Sequence, residues 1–147
     1  NRSAPQAKGP RFKSYLDRLE GLVRNYPFKK FNVLRFSSDV TSFRGSLADN
    51  TKSNQDDAAK FIQDFTPKGG TSTLAALKRA FENRGVDTVV LFSDGSPSDA
   101  KPDAVKAWVQ ANHGGIVVNC VAIGNDRKLI AFLKELAQVT GGRFQGI

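Results

Sequence analysis

Apolar residues recur along this chain at two different periods, and the alternation between them divides it into helices and strands. Phe12, Tyr15, Leu16, Leu19, Leu22 and Val23 follow helical spacing, and Pro10 suits the first turn of that helix. Tyr26-Pro27 ends it. A strand is then predicted over 31–36, followed by Ser37-Ser38-Asp39 and a second strand over 40–43, together a hairpin at the edge of a sheet. Residues 46–52 read as loop. Ser53 or Asn54 is predicted to cap a helix reaching Phe65, with Asp56 and Asp57 near its positive end and Ala58, Phe61, Ile62 and Phe65 inward. A polar loop over 68–73 leads to a helix over 74–83, which turns Leu74, Leu77 and Phe81 inward.

The β-branched run over 88–92 predicts a parallel strand buried on both faces. It stops abruptly at Ser93-Asp94-Gly95-Ser96-Pro97. Ser98 or Asp99 is the expected cap of a helix that starts near Pro102 and turns Ala104, Val105, Trp108 and Val109 inward. A second buried strand over 116–123, a helix over 127–139 and a short strand over 143–147 complete the pattern. Strands alternating with amphipathic helices predict an α/β domain: a Rossmann-like three-layer sandwich with a mostly parallel central sheet, one antiparallel edge strand and helices on both faces.

Composition sharpens this only in part. A chain of 147 residues, 39% hydrophobic, suits a single domain with its own core. No apolar run approaches the ~20 residues that span a bilayer. Cys120 is the only cysteine and lies within an apolar run, so a buried, inert thiol is expected. The net charge is +8, and residues 1–35 hold nine Lys/Arg against Asp17 and Glu20. Such a segment is either a solvated helix face or a surface for nucleic acid or anionic lipid.

The candidate chemistry sits in loops. A carboxylate just beyond the carboxyl end of a parallel strand lies where ligands bind in open α/β sheets, although Asp-Gly is also an ordinary turn. Gly69-Gly70-Thr71-Ser72-Thr73 lacks the lysine and spacing of a phosphate-binding loop, with Thr71 or Thr73 available as a helix cap. Ser93 lacks the upstream glycine of a nucleophile elbow, and His113 beside Gly114-Gly115 reads as a helix-end residue. No enzyme activity is expected.

In combination, Ser93-Asp94-Gly95 after its strand, the upstream Gly69-Gly70-Thr71, the segment 31–38 and the closing Leu136-Ala-Gln-Val-Thr-Gly-Gly-Arg-Phe144 resemble the von Willebrand factor type A (vWA) domain over nearly the whole chain. Many members carry a metal-ion-dependent adhesion site (MIDAS), built from an Asp-x-Ser-x-Ser motif, a threonine and an aspartate. By that resemblance Thr71 and Asp94 are metal ligands, with Mg²⁺ (or Mn²⁺ or Ca²⁺) as the cofactor. No Asp-x-Ser-x-Ser is present. Asn1-Arg2-Ser3-Ala4-Pro5 stands in its place, so Asn1 and Ser3 complete the expected ligand set, and affinity should fall for want of the first carboxylate.

The resemblance implies a non-enzymatic, adhesion-type interaction module. Ser37, Ser38, Asp39, Gly70, Ser72, Gly95 and Ser96 form its expected partner-binding loops, and a protein partner presenting a carboxylate completes the cation's coordination. Metal-independent protein binding, and nucleic-acid or anionic-surface binding through the basic segment, remain open alternatives. The family's central first strand is missing, so it is expected to come from an upstream segment or a separate chain, or to be replaced by an unusual pairing, and both ends look trimmed. The resemblance, together with a start that is not methionine, leans toward an exported or membrane-tethered bacterial parent.

Overall fold

The computed structural model describes residues 10–147. They divide into two compact units, the first ending at Gly69 and the second running from Gly70 to Ile147. The first contains α1 (Pro10–Asn25), β1 (Lys30–Phe31), β2 (Leu34–Phe36), β3 (Val40–Ser42), β4 (Ala48–Asp49) and α2 (Lys52–Gln63). The second contains α3 (Thr73–Phe81), β5 (Thr88–Ser93), α4 (Pro102–Asn112), β6 (Val117–Ala122), α5 (Arg127–Val139) and β7 (Phe144–Gly146).

In the first unit, α1 and α2 bury Leu16, Val23, Ala58 and Ile62 against Phe31 and Val33. Aromatic rings continue this core: Phe31 stacks on Phe43, which in turn meets Phe61 at 5.7 Å. The strand expected over 31–36 is broken. Asn32 Oδ1 accepts hydrogen bonds from the Val33 and Arg44 amides, and its Nδ2 donates to the Arg44 carbonyl, so a side chain replaces the ladder at this position. Beyond the break, β2 and β3 form the expected antiparallel hairpin with Arg35 opposite Thr41, in a two-stranded sheet of their own. Residues 46–52 are not all loop, because β4 pairs antiparallel with β1. The cap of α2 is Thr51, whose Oγ1 accepts from the Asn54 amide. Ser53 and Asn54 lie inside the helix.

The second unit is built on a parallel sheet in the order β5-β6-β7, with Leu91 beside Cys120 and Cys120 beside Phe144. Val118, Cys120 and Ala122 alternate along β6 as its buried positions. Leu129, Leu133 and Leu136 of α5 are fully buried, and Phe132 and Ala137 join them. The expected burial of β5 on both faces is not observed: Leu91 and Ser93 are buried and Thr88 is exposed. Val105 and Val109 bury their side of α4, while Ala104 is exposed rather than inward.

The close of α5 explains the Thr-Gly-Gly sequence. Gly141 adopts φ +75° and its amide bonds to the Gln138 carbonyl, while the Gly142 amide reaches the Ala137 carbonyl at 2.8 Å. Gly142 then passes so close to β6 that a β-carbon there would lie 2.0 Å from the Val118 carbonyl oxygen. Only glycine fits.

Candidate functional site

The second unit brings together two segments of the expected site, around Thr71 and around Asp94. β5 delivers Ser93, buried, with its hydroxyl donating to the Gly95 carbonyl at 2.8 Å and accepting from the Gly95 amide at 3.3 Å. This side-chain turn projects Asp94 from the strand end, where it is exposed. Gly95 packs against Thr71: a β-carbon on Gly95 would lie 3.3 Å from Thr71 Oγ1. Thr71 therefore stands beside the Asp94–Gly95 turn, 23 positions away in sequence.

Ser98 and Asp99 hold this arrangement. The Ser98 amide donates to the Thr71 carbonyl at 2.8 Å, and the Thr71 amide donates to Ser98 Oγ at 2.7 Å. Asp99 Oδ1 accepts from the Leu74 amide at 3.2 Å and Oδ2 from the Ala75 amide at 2.9 Å. Asp99 thus caps α3, and the expectation that Ser98 or Asp99 caps α4 is corrected. Lys101 occupies that cap position, and Pro102, which lacks an amide hydrogen, opens α4. Neither Thr71 nor Thr73 caps α3. Ser72 stands at its N-cap without a side-chain cap bond, and Thr73 is fully buried with Oγ1 unpaired among the described residues. Gly70 enters the loop at φ +88°, a left-handed conformation that favours glycine.

The other expected site residues are placed differently. Asn1 and Ser3 lie outside the described residues. Ser96 is exposed beside Pro97. Ser37, Ser38 and Asp39 belong to the first unit, where Ser37 is buried and its hydroxyl accepts from the Lys68 amide at 3.2 Å. Asp39 pairs with Lys68 Nζ at 3.7 Å across an exposed gap.

Thr71 and Asp94 offer a hydroxyl and a carboxylate, the oxygen donors that suit Mg²⁺ or Mn²⁺ in type. No cluster of three or more His, Cys, Asp or Glu occurs among the described residues, and of this pair Asp94 alone carries charge.

Elsewhere many charged groups pair within their own unit. Lys13 pairs with Asp17, Lys30 with Asp49, and Arg24 with both Glu20 and Asp56. Arg35 donates to the Phe61 carbonyl and lies over the Phe61 ring. Much of the basic segment is therefore committed to its own unit. Hydrogen bonds from Gln63 and then Arg24 hold the Glu20 carboxyl below its usual range. His113 caps the end of α4, as expected. Burial pushes the Cys120 thiol up to about 12.

The von Willebrand factor type A domain family matches this chain over residues 6–145. The chain belongs to that family. It is 33% identical over 115 residues to human von Willebrand factor A domain-containing protein 3B, covering 78% of this chain and 9% of that protein. It is 32% identical over 133 residues to inter-alpha-trypsin inhibitor heavy chain H2 of Mesocricetus auratus, covering 80% of this chain and 14% of the relative. This vWA chain thus spans only about a tenth of the length of the curated relatives it matches. Among solved structures, a von Willebrand factor type A protein from Catenulispora acidiphila superposes with a TM-score of 0.81 at 16% identity, over 94% of this chain and 34% of that one. That likeness establishes an α/β Rossmann-like vWA fold.

Proposed function

We propose that this vWA domain, residues 1–147, is a non-enzymatic protein-interaction module. It binds its partner through the loops at the carboxyl end of β5, with a divalent cation held by Thr71 and Asp94. The observation that carries the reading is the approach of Thr71 Oγ1 to Gly95, which sets a hydroxyl beside the turn bearing an exposed carboxylate. When bound, such a cation supplies a Lewis-acidic position that a partner carboxylate completes. Asp94 gives the charge, Thr71 a neutral oxygen, and Gly70, Ser72, Gly95 and Ser96 the surrounding surface. Ser93 keeps the Asp94 backbone in its turn.

A second requirement is proposed at β5. The Val117 amide bonds to the Asp87 carbonyl and the Ile123 amide to the Ser93 carbonyl. By the two-residue period of a strand, the peptide groups of Thr88, Val90 and Phe92 then face away from β6. Among the described residues β5 pairs with β6 alone. This open edge supports reading an upstream segment or a separate chain as the source of a further strand.

The metal-linked reading is tested by calorimetric titration of Mg²⁺ and Mn²⁺ into the wild-type chain and Asp94→Ala. Saturable binding that the substitution abolishes is expected. Absence of binding in the wild type, or undiminished binding in Asp94→Ala, refutes a cation at this site.

A further inference from the structure

We propose that Ser98 and Asp99 are positioning residues which hold Thr71 against the Asp94–Gly95 turn; this inference rests on the functional reading above and names what keeps that site assembled. Ser98 engages both peptide groups of Thr71: its Oγ accepts from the Thr71 amide, and its own amide donates to the Thr71 carbonyl, which also accepts from the Thr73 amide at 2.8 Å. The Thr71 hydroxyl takes no part in this clip and lies beside Gly95.

Asp99 anchors the other end. Both of its oxygens accept from first-turn amides of α3, at Leu74 and Ala75, so the cap comes from 24 and 25 positions downstream rather than from Ser72 next door. A local cap would order α3 alone. This remote cap also fixes the distance between the 70–75 and 94–99 segments, because each segment is bonded to the other at two successive places. Thr71, anchored by Ser98, cannot then swing away from Asp94 without breaking a pair of hydrogen bonds at once.

Asp99 has an electrostatic consequence as well. The first turn of a helix carries a partial positive charge, which opposes a cation placed near Thr71. The Asp99 carboxylate offsets that charge while leaving Asp94 for the ligand. Its role is therefore distinct from that of a ligand, since both of its oxygens are occupied by amides. Asp99→Asn keeps one acceptor oxygen, sets an NH2 group against the other first-turn amide and loses the charge, so it retains part of what Asp99→Ala removes entirely.

The test uses the whole chain and two independent readouts. By NMR, an Overhauser contact between the Thr71 side chain and the Gly95 Hα protons is expected in the wild type. Ser98→Ala and Asp99→Ala should each weaken that contact, and both should speed Thr71 amide exchange roughly tenfold or more, as for loss of a hydrogen bond at a charged or tightly held group. Ser98→Thr, which keeps the hydroxyl, should restore both. The decisive case is Asp99→Ala, because Asp99 does not itself bond Thr71. Should that variant fail to fold, Ser98→Ala with its Ser98→Thr rescue carries the test.

Mn²⁺ titration supplies the second readout: weakening of about tenfold in Asp99→Ala, with Asp99→Asn between it and the wild type. Absence of Mn²⁺ binding in the wild type defeats the metal reading, while the NMR contact and exchange still judge the clip on its own. An unchanged Thr71–Gly95 contact and unchanged Thr71 exchange in both alanine variants overturn the proposal, whatever Mn²⁺ does.

Discussion

Replacing Gly142 by alanine is the sharpest test of how the second unit is packed. The new β-carbon would lie 2.0 Å from the Val118 carbonyl oxygen, 2.7 Å from its carbon and 3.0 Å from Asn119 Oδ1. Relief to an acceptable contact requires the strand and the turn to part by about 1 Å. Three hydrogen bonds span that gap, each 2.8 Å long: the Val118 amide to Thr140 Oγ1, the Arg143 amide to Asn119 Oδ1, and the Cys120 amide to the Arg143 carbonyl. A shift of that size takes all three beyond useful hydrogen-bond length. At about 1 kcal/mol each, the loss is roughly 3 kcal/mol, and the reduced freedom of the unfolded chain returns about 0.4–1 kcal/mol. The net destabilisation of about 2–3 kcal/mol corresponds to a fall in Tm of roughly 4–12 °C for a chain of this size. Thermal unfolding followed by circular dichroism measures it. Gly146→Ala is the control, since a β-carbon at Gly146 meets nothing within 4 Å. A Gly142→Ala chain that melts with the wild type would show that β7 does not approach β6 as described.

Two further predictions concern titratable groups. In the first unit, Asp17, Glu20 and Asp56 have carboxyl pKa values held below their ordinary 3.8, 4.5 and 3.8, led by hydrogen bonds from Lys13, Gln63 and Lys52 respectively. Because the folded values are depressed, this stabilisation is complete above about pH 4.5 and is lost as the pH falls through them. Denaturant melts between pH 6 and pH 2.5 should show that loss, and Gln63→Ala should return the Glu20 titration, followed by NMR, toward 4.5. The Cys120 thiol, 1% exposed and pushed up to about 12, should resist a maleimide at pH 8 in the native chain and react after unfolding. Rapid native labelling would refute the burial of β6.

Local rules read the long elements well. α5 occupies 127–139 as its apolar spacing predicts, with Asp126 accepting from the Lys128 and Leu129 amides to start it. α1 opens at Pro10 for the same kind of reason. Short elements carry no such period. β4 is two residues long and is defined by its partner β1, so residues 46–52 offer no signal of their own. Asn32 breaks a strand that its neighbours favour, through contacts with Arg44 that lie 12 positions away.

The site shows the same division. Asp94 stands out in the sequence as the carboxylate that ends a hydrophobic strand, whereas Thr71 is singled out only by the resemblance to the vWA family, since its place before a helix reads equally as a cap. The role of Ser98 and Asp99 could not be read, since capping rules assign them to the next helix in sequence, whereas their partners lie upstream at Thr71, Leu74 and Ala75. A remote cap leaves no trace in spacing. The expected pairing of Asn1 and Ser3 with these residues falls outside the described part of the chain.

The aromatic residues are distributed so that each unit carries its own optical label. The single tryptophan, Trp108, belongs to the second unit, where its ring lies 5.2 Å from that of Phe81. Both tyrosines, Tyr15 and Tyr26, belong to the first. Excitation at the red edge, where tyrosine does not absorb, therefore follows the α3–α4 packing alone, while tyrosine absorbance follows α1 and its flank. One unfolding experiment read at two wavelengths distinguishes a chain that melts as a single cooperative body from one that loses its halves in turn.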